Sequence, residues 1–200
     1  MQIAEIDLGK YSNRFSSYTE LRLHENRSQS IVLLNGDVVS NARDTTGGVS
    51  ARVFNGGTWG FSSNPDMSND AIDGTISAAT RNADFLARRC GNEDAALPLS
   101  NASADSDFST KKTLKTQEEK IAFLTEIDNY IVSSFPDVVS RQVLLSCLDM
   151  EKKLQTSEGS NGHNVTTRSL IAVKLTTENE NKEPVELSEA IGARGQYEDV

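Results

Sequence analysis

The side chains able to do acid–base, nucleophilic or metal chemistry are few and scattered. The 200-residue chain has two histidines, His24 and His163, and two cysteines, Cys90 and Cys147. Metal-assisted hydrolysis needs several His, Cys or carboxylate ligands converging, at helical spacing where two come from one element. Neither histidine lies in such a motif, so no metal or catalytic residue is expected within these residues. Cys147 with a histidine would supply the parts of nucleophilic catalysis, but its position in an alternating strand is one where a free cysteine packs as a small apolar residue. Gly47-Gly48 and Gly56-Gly57 lack phosphate-loop spacing and fall where hairpins need positive φ, so both read as turns. Glu118-Glu119 and Arg88-Arg89 match the first and last turns of helices, where the macrodipole favours them, and the 178–183 acidic cluster reads as a solvated loop tip. Trp59, the only tryptophan, lies in Gly57-Thr58-Trp59-Gly60-Phe61. The flanking glycines admit a close backbone or ligand, which leaves a packed core aromatic and a contact residue as its two readings.

Composition narrows the partners. Lys plus Arg number 20 against 29 for Asp plus Glu, a net charge of -9, which works against neutralising phosphates or docking on anionic lipid. Neither nucleic acid nor a membrane is therefore an expected partner. No apolar run approaches the roughly 20 residues that span a bilayer, and the first residues lack the basic-then-apolar pattern of an export signal. The expectation is a cytoplasmic chain with both cysteines free, in which the N-x-S/T sequons at Asn26, Asn101 and Asn164 are chance matches.

The elements that must position these residues follow from periodicity. Tyr18, Glu20, Arg22 and His24 alternate with Thr19, Leu21, Leu23 and Glu25, the pattern of a sheet with one wet face. A turn at Glu25–Ser28, a strand into Asn35-Gly36, a return from Asp37, a turn at Thr46-Gly47-Gly48, the run Val49–Phe54 and a turn into Thr58–Phe61 give five short strands in an antiparallel meander over 18–63. Ser68 caps a helix over 68–90 whose Ile72, Ile76, Ala79, Ala83 and Leu86 share a face, with Gly91 at its C-terminal end. Residues 91–115 lack periodicity and read as a mobile or loosely draped linker. Thr116-Gln117-Glu118-Glu119 is a capping box opening a second helix over 117–135, with Ile121, Leu124, Ile127, Ile131 and Phe135 on one face. A second meander spans 138–191, its strands breaking near Asp149, at 157–162 and at 178–181. Thr45, Val49, Ala51 and Val53 correspond to Thr167, Ile171, Val173 and Leu175 on the same strand faces, which points to an internal duplication. The expected fold is α+β, one domain over 1–200 built of two antiparallel β-meanders with two amphipathic helices.

The order Tyr18-Thr19-Glu20-Leu21-Arg22-Leu23, Glu25–Ser28, Leu33-Leu34-Asn35-Gly36, Gly47–Phe54, Gly57–Phe61 and then an alanine-containing helix resembles the N-terminal half of TldD/PmbA proteins. The likeness covers residues 18 to about 90 well and the rest, through Gly192-Ala193-Arg194-Gly195, more loosely. The resemblance implies a cytoplasmic, mostly prokaryotic family of zinc-dependent peptidases and their non-catalytic partners, also described as modulators of DNA gyrase and linked to maturing a peptide antibiotic and degrading an antitoxin. The family's H-E-x-x-x-H helix and later cysteine ligand belong to its C-terminal half and do not occur here. The resemblance thus implies that zinc is held by a C-terminal metallopeptidase domain absent from these residues. This chain would then enclose unfolded peptide and assemble as a homo- or hetero-oligomer with a paralogue, inactive alone. Trp59 and Phe61 become the candidate substrate-groove or interface residues. A non-catalytic PmbA-like partner, or a stand-alone peptide- or protein-binding module, is the alternative.

Overall fold

Alternating apolar residues with tight turns between them produce strands, and the three-to-four spacing of Ile, Leu and Ala produces helices. The structure, a computed structural model, describes residues 3–92, 96–97 and 101–200. In chain order its elements are β1 (Tyr18–Leu34), β2 (Asp37–Asn55), β3 (Thr58–Asn64), α1 (Asn69–Cys90), β4 (Ser103–Asp107), α2 (Gln117–Ser134), β5 (Ser140–Thr156), β6 (Asn161–Glu178) and β7 (Pro184–Arg194). Short 3-10 helices at Ile3–Glu5, Gly9–Arg14 and Tyr197–Asp199 complete the list. The strand order is β3-β2-β1-β5-β6-β4, with β7 also against β6. The α+β fold with two helices expected from the sequence is the fold observed.

The strands are fewer and longer than their composition suggests. Glu25–Ser28 is strand rather than turn, because β1 runs unbroken for 17 residues. Pairing with a neighbour on each side satisfies the backbone there and overrides local turn preference. Thr46-Gly47-Gly48 is likewise inside the 19-residue β2, and neither glycine has positive φ. They serve close approach instead: a Cβ on Gly47 would lie 2.5 Å from the His24 carbonyl oxygen, and one on Gly48 would overlap that of Asn64. β5 also passes through Asp149 without a break. Asn35-Gly36, at φ 51° and 89°, and Gly56-Gly57, at 51° and 74°, are true hairpin turns with both central residues left-handed. Within the expected linker, Ser103–Asp107 forms β4, parallel to β6. Its sequence, Ser-Ala-Asp-Ser-Asp, carries no strand signal because the pairing is made through the backbone. Residues 93–95 and 98–100 of that segment lie outside the described residues.

The chain divides into two compact units, to each of which β1, β2, β5 and β6 contribute a part. The first, residues 1–26, 46–107 and 150–165, contains β3, α1 and β4. Its core joins Leu21 and Leu23 of β1, Val49, Ala51 and Val53 of β2, and Ile72, Ile76, Ala79 and Ala83 of α1. The N-terminal Ile3, Ile6, Leu8 and Tyr11 complete it, a contribution without a periodic signal in the sequence. Each fully buried aliphatic side chain stabilises by about 1.5–3 kcal/mol relative to exposure. Ser68 Oγ accepts from Ala71 N at the start of α1, and Gly91 ends it at φ -66°. A Cβ on Gly91 would crowd the Ala87 and Gly56 carbonyl oxygens, so close approach rather than positive φ explains this glycine.

The second unit, residues 27–45, 108–149 and 166–200, contains α2 and β7. Its core joins Ile31 and Leu33 of β1, Leu124 and Ile131 of α2, and Val143 and Leu145 of β5, with Ile171, Val173 and Leu175 of β6 packed against it. The matched triplets Val49-Ala51-Val53 and Ile171-Val173-Leu175 thus each line the core of their own unit. The Thr116–Glu119 capping box forms in both directions, and Phe135 is the C-cap of α2. Phe135 is exposed rather than on the buried face, as are Val185, Leu187 and Ile191 of β7, the last at 70%.

Candidate functional site

β3 sets the site. Gly60 faces α1 so closely that a Cβ there would overlap the Ala79 carbonyl oxygen and the Ala83 amide nitrogen. Alternation then turns Trp59 and Phe61 to the opposite face of the strand. Trp59 is 37% exposed and Phe61 58% exposed, so Trp59 is not a fully packed core aromatic. The β2–β3 register sets Phe54 opposite Trp59 and Arg52 opposite Phe61. The Arg52 guanidinium lies over the Trp59 ring at 4.5 Å from its centroid, within cation–π reach. Phe54 meets that ring at 5.1 Å and Tyr18 meets it edge-on at 5.9 Å.

Glu20 organises the cations beside this cluster. Arg52 Nε and Nη2 donate to its two carboxylate oxygens at 2.7 Å each, a bidentate pair, and Arg22 Nη2 donates to Oε2, also at 2.7 Å. The Tyr18 hydroxyl adds a longer bond at 3.1 Å. Burial alone would raise the Glu20 carboxyl, but the hydrogen bonds from Arg52 and Arg22 outweigh it and hold the group below the ordinary carboxylate range. Burial, with the Glu20 charge in the same direction, pushes the Tyr18 hydroxyl up, so it stays a neutral donor. Glu20 therefore holds Arg52 over the indole and leaves an aromatic and cationic surface on an acidic chain.

The same strand face continues into a cavity of about 500 Å³ lined by residues including Arg22, His24, Ser50, Lys152, His163 and Asn164. His24 and His163, placed in different meanders by the sequence, meet at this cavity. Each is already engaged: His24 Nε2 lies 2.8 Å from Asn26 Oδ1, and His163 lies between Glu151 at 2.9 Å and Asp105 at 3.6 Å. Among the described residues no three His, Cys, Asp or Glu side chains form a metal-binding group. Cys147 is half-buried, and burial pushes its thiol up, away from the thiolate a nucleophile needs. Cys90 is exposed at the end of α1, its thiol turned to the Leu86 carbonyl. Glu119 closes its own helix cap, and Arg89 lies over Phe85 in the last turn of α1.

Sequence reasoning named Trp59 and Phe61 but missed Arg52, Phe54 and the role of Glu20. The wet face of Tyr18, Glu20 and Arg22 was visible as alternation, whereas its meeting with Arg52 and Trp59 depends on the register between strands.

Residues 19–83, which contain all of this aromatic cluster except Tyr18, match the family model described as PmbA/TldA metallopeptidase domain 1. Over those residues, about a third of the chain, it is similar to PmbA/TldD domain 1. No curated protein matches it. Among solved structures, it is similar to a candidate modulator of DNA gyrase from Bacteroides thetaiotaomicron (TM-score 0.70, 12% identity, 93% of this chain and 43% of that one). A second candidate modulator of DNA gyrase, from Thermotoga maritima, gives a TM-score of 0.70 at 14% identity, covering 96% of this chain and 42% of that one. TldE from Thermococcus kodakarensis gives 0.66 at 10% identity, covering 92% and 42%. At such identities the likeness is one of fold. This chain spans less than half the length of each of these proteins. No helix among the described residues is long and apolar enough to cross a membrane.

Proposed function

We propose that this PmbA/TldD domain 1 encloses and positions an unfolded peptide for a zinc metallopeptidase whose metal is held by another domain, in an oligomer with a second PmbA/TldD chain. The observation that carries the reading is the outward-facing surface of Arg52 on β2 with Trp59 and Phe61 on β3, within a segment that matches a metallopeptidase domain. β3 ends the strand order, with β2 as its partner. Asn82 Nδ2 donates to the Phe61 carbonyl oxygen at 2.9 Å. An extended peptide added along such an edge gains main-chain hydrogen bonds that tolerate many sequences, while alternate side chains supply selectivity. On β3 those side chains would meet Trp59, Phe61 and Arg52, favouring aromatic and acidic residues.

The metal that the family name implies has no fitting ligand set among the described residues, so no step of the chemistry is routed through this chain's side chains. Its contribution is binding and orientation, and a metal-bearing domain supplies the hydrolysis.

The test measures zinc content and hydrolysis of an unstructured peptide by this chain alone and mixed with a matching C-terminal half. Activity only in the mixture is the expected result. Hydrolysis by this chain alone above contaminant level overturns the reading, and activity in neither arm moves it to a non-catalytic binding module. Trp59→Phe, which keeps the ring but loses the indole under Arg52, is expected to weaken peptide affinity in the mixture several-fold. Unchanged affinity would remove Trp59 from the site.

A further inference from the structure

The second unit holds a cavity of about 260 Å³ whose lining includes Arg27, Gln29, Arg43, Lys115, Lys120 and Glu198. Two polar atoms of its lining residues are buried without a partner among the described residues: Gln29 Nε2, a donor, and Glu198 Oε2, an acceptor. The Glu198 side chain is only 3% exposed. The far atoms of both groups are engaged. Lys120 Nζ donates to Gln29 Oε1 at 3.3 Å and lies 3.9 Å from Glu198 Oε1, which also accepts from Lys115 N at 2.7 Å. Lys120 is itself held over the Tyr197 ring at 5.5 Å. A buried donor or acceptor left unmade carries the full desolvation penalty of that group, so such pairs are normally completed by water or a ligand.

What completes this pair must offer an acceptor to Gln29 and a donor to Glu198. It must also suit a lining in which four cations face two carboxylates, Asp149 and Glu198, on a chain of net charge -9. A carboxylate with a neighbouring amide N–H meets all three demands. The cavity lies just below the range of about 300–1,000 Å³ usual for small-ligand sites, a size for a short terminal segment rather than a large cofactor. We propose that this cavity binds the free C-terminus of a peptide, its carboxylate to Gln29 Nε2 and Lys120 and its last amide N–H to Glu198 Oε2. The site lies away from β3 and does not depend on the peptidase reading.

The probes are N-acetyl-Gly-Gly with a free carboxylate, the same dipeptide amidated at its C-terminus, and inorganic phosphate. Each is titrated into the isotopically labelled chain while the Gln29 side-chain amide resonances are followed by NMR. The free acid is expected to shift those resonances and to bind about 10-fold tighter than the amidated form, the scale of one hydrogen bond to a charged group. Lys120→Met is expected to abolish the shift. Arg43→Gln, at an exposed position that leaves the fold intact, should weaken binding a few-fold. Equal binding of the acid and amide, phosphate binding as tightly as the acid peptide, or resonances unmoved at millimolar peptide would each overturn the proposal. The last result would assign the orphan atoms to bound water.

Discussion

The two units solve the same problem, a helix against β-strands, with opposite chemistry. In the first, α1 packs through small residues: Ala79 and Ala83 sit over Gly60, and aliphatic neighbours from β1 and β2 fill the rest. In the second, α2 packs through Leu124 and Ile131 but also buries Asp128, whose carboxylate receives Arg141 Nε at 2.7 Å and Nη2 at 3.2 Å. Gly36 at the β1–β2 turn makes room for that pair, since a Cβ there would lie 3.1 Å from Asp128 Oδ2. The first core is limited by space, the second by charge. Both units bury carboxylates: in the first, Glu20 is held by Arg22 and Arg52 and Glu151 lies 2.9 Å from His163, whereas in the second the buried carboxylate, Asp128, belongs to the packing helix itself.

Four perturbations can break this contrast. The largest effect belongs to Gly60→Ala, where overlap with the backbone of α1 is expected to cost about 3 kcal/mol or more. Gly162→Ala, whose new Cβ would find Ala104 O at 3.7 Å and Leu154 Cβ at 4.0 Å, should change stability by no more than about 0.5 kcal/mol. Urea denaturation of both variants separates them, and equal midpoints would refute the steric account of the first core.

Next comes Asp128→Ala, which strands the Arg141 guanidinium. Loss of one member of a buried pair costs about 3–5 kcal/mol, and partial solvent contact of Arg141 places this variant toward the low end. Raising salt should not rescue it. A thermal midpoint within error of wild type would show that the pair contributes nothing.

The caps should differ less. Thr116→Ala removes the Oγ1 acceptor of a reciprocal box, leaving the backbone N–H at 116 still donating to Glu119 Oε2, and is expected to cost about 1 kcal/mol. Ser68→Ala loses a long 3.4 Å bond from Ala71 N and an exposed 2.7 Å bond to Asp66 Oδ2 and should cost about half as much. Chemical denaturation would sharpen the comparison, and the reverse ranking would contradict the cap geometry.

The smallest effect is a pH dependence. Because the folded carboxyl of Glu20 is held below its ordinary value, the associated stability is fully present above about pH 4.5, the unperturbed value. It is lost as pH falls below that through the folded value. Glu20→Gln should lower stability at neutral pH and flatten this acid limb. An NMR titration placing the Glu20 midpoint above 4.5 would contradict the arginine clamp.

Much of the fold was legible because local chemistry and tertiary context agreed. Asn35-Gly36 and Gly56-Gly57 hold left-handed turns, Thr116 and Glu119 cap α2, and Ile72, Ile76, Ala79 and Ala83 face the core. Where they disagreed, context won. Glu25–Ser28 and Thr46-Gly47-Gly48 have turn composition yet are strand, and β4 pairs through its backbone with no large apolar residue to announce it. The candidate site was half legible. Trp59 and Phe61 stand out by type and glycine setting, but a single strand does not reveal which side chains its neighbour brings alongside.

The sequence by itself determined the longer elements, most of the core face of each helix, the Asn35-Gly36 and Gly56-Gly57 turns and the motif order that resembles the family, because each rests on interactions within a few residues. Register and close approach decided the rest. Only the tertiary structure set Arg52 on Trp59, joined Glu20 to two arginines, brought His24 and His163 to one cavity, and left Gln29 and Glu198 each with a buried atom unpaired among the described residues. Those are encounters between residues far apart in the chain, and their geometry depends on how strands align rather than on which residues they contain.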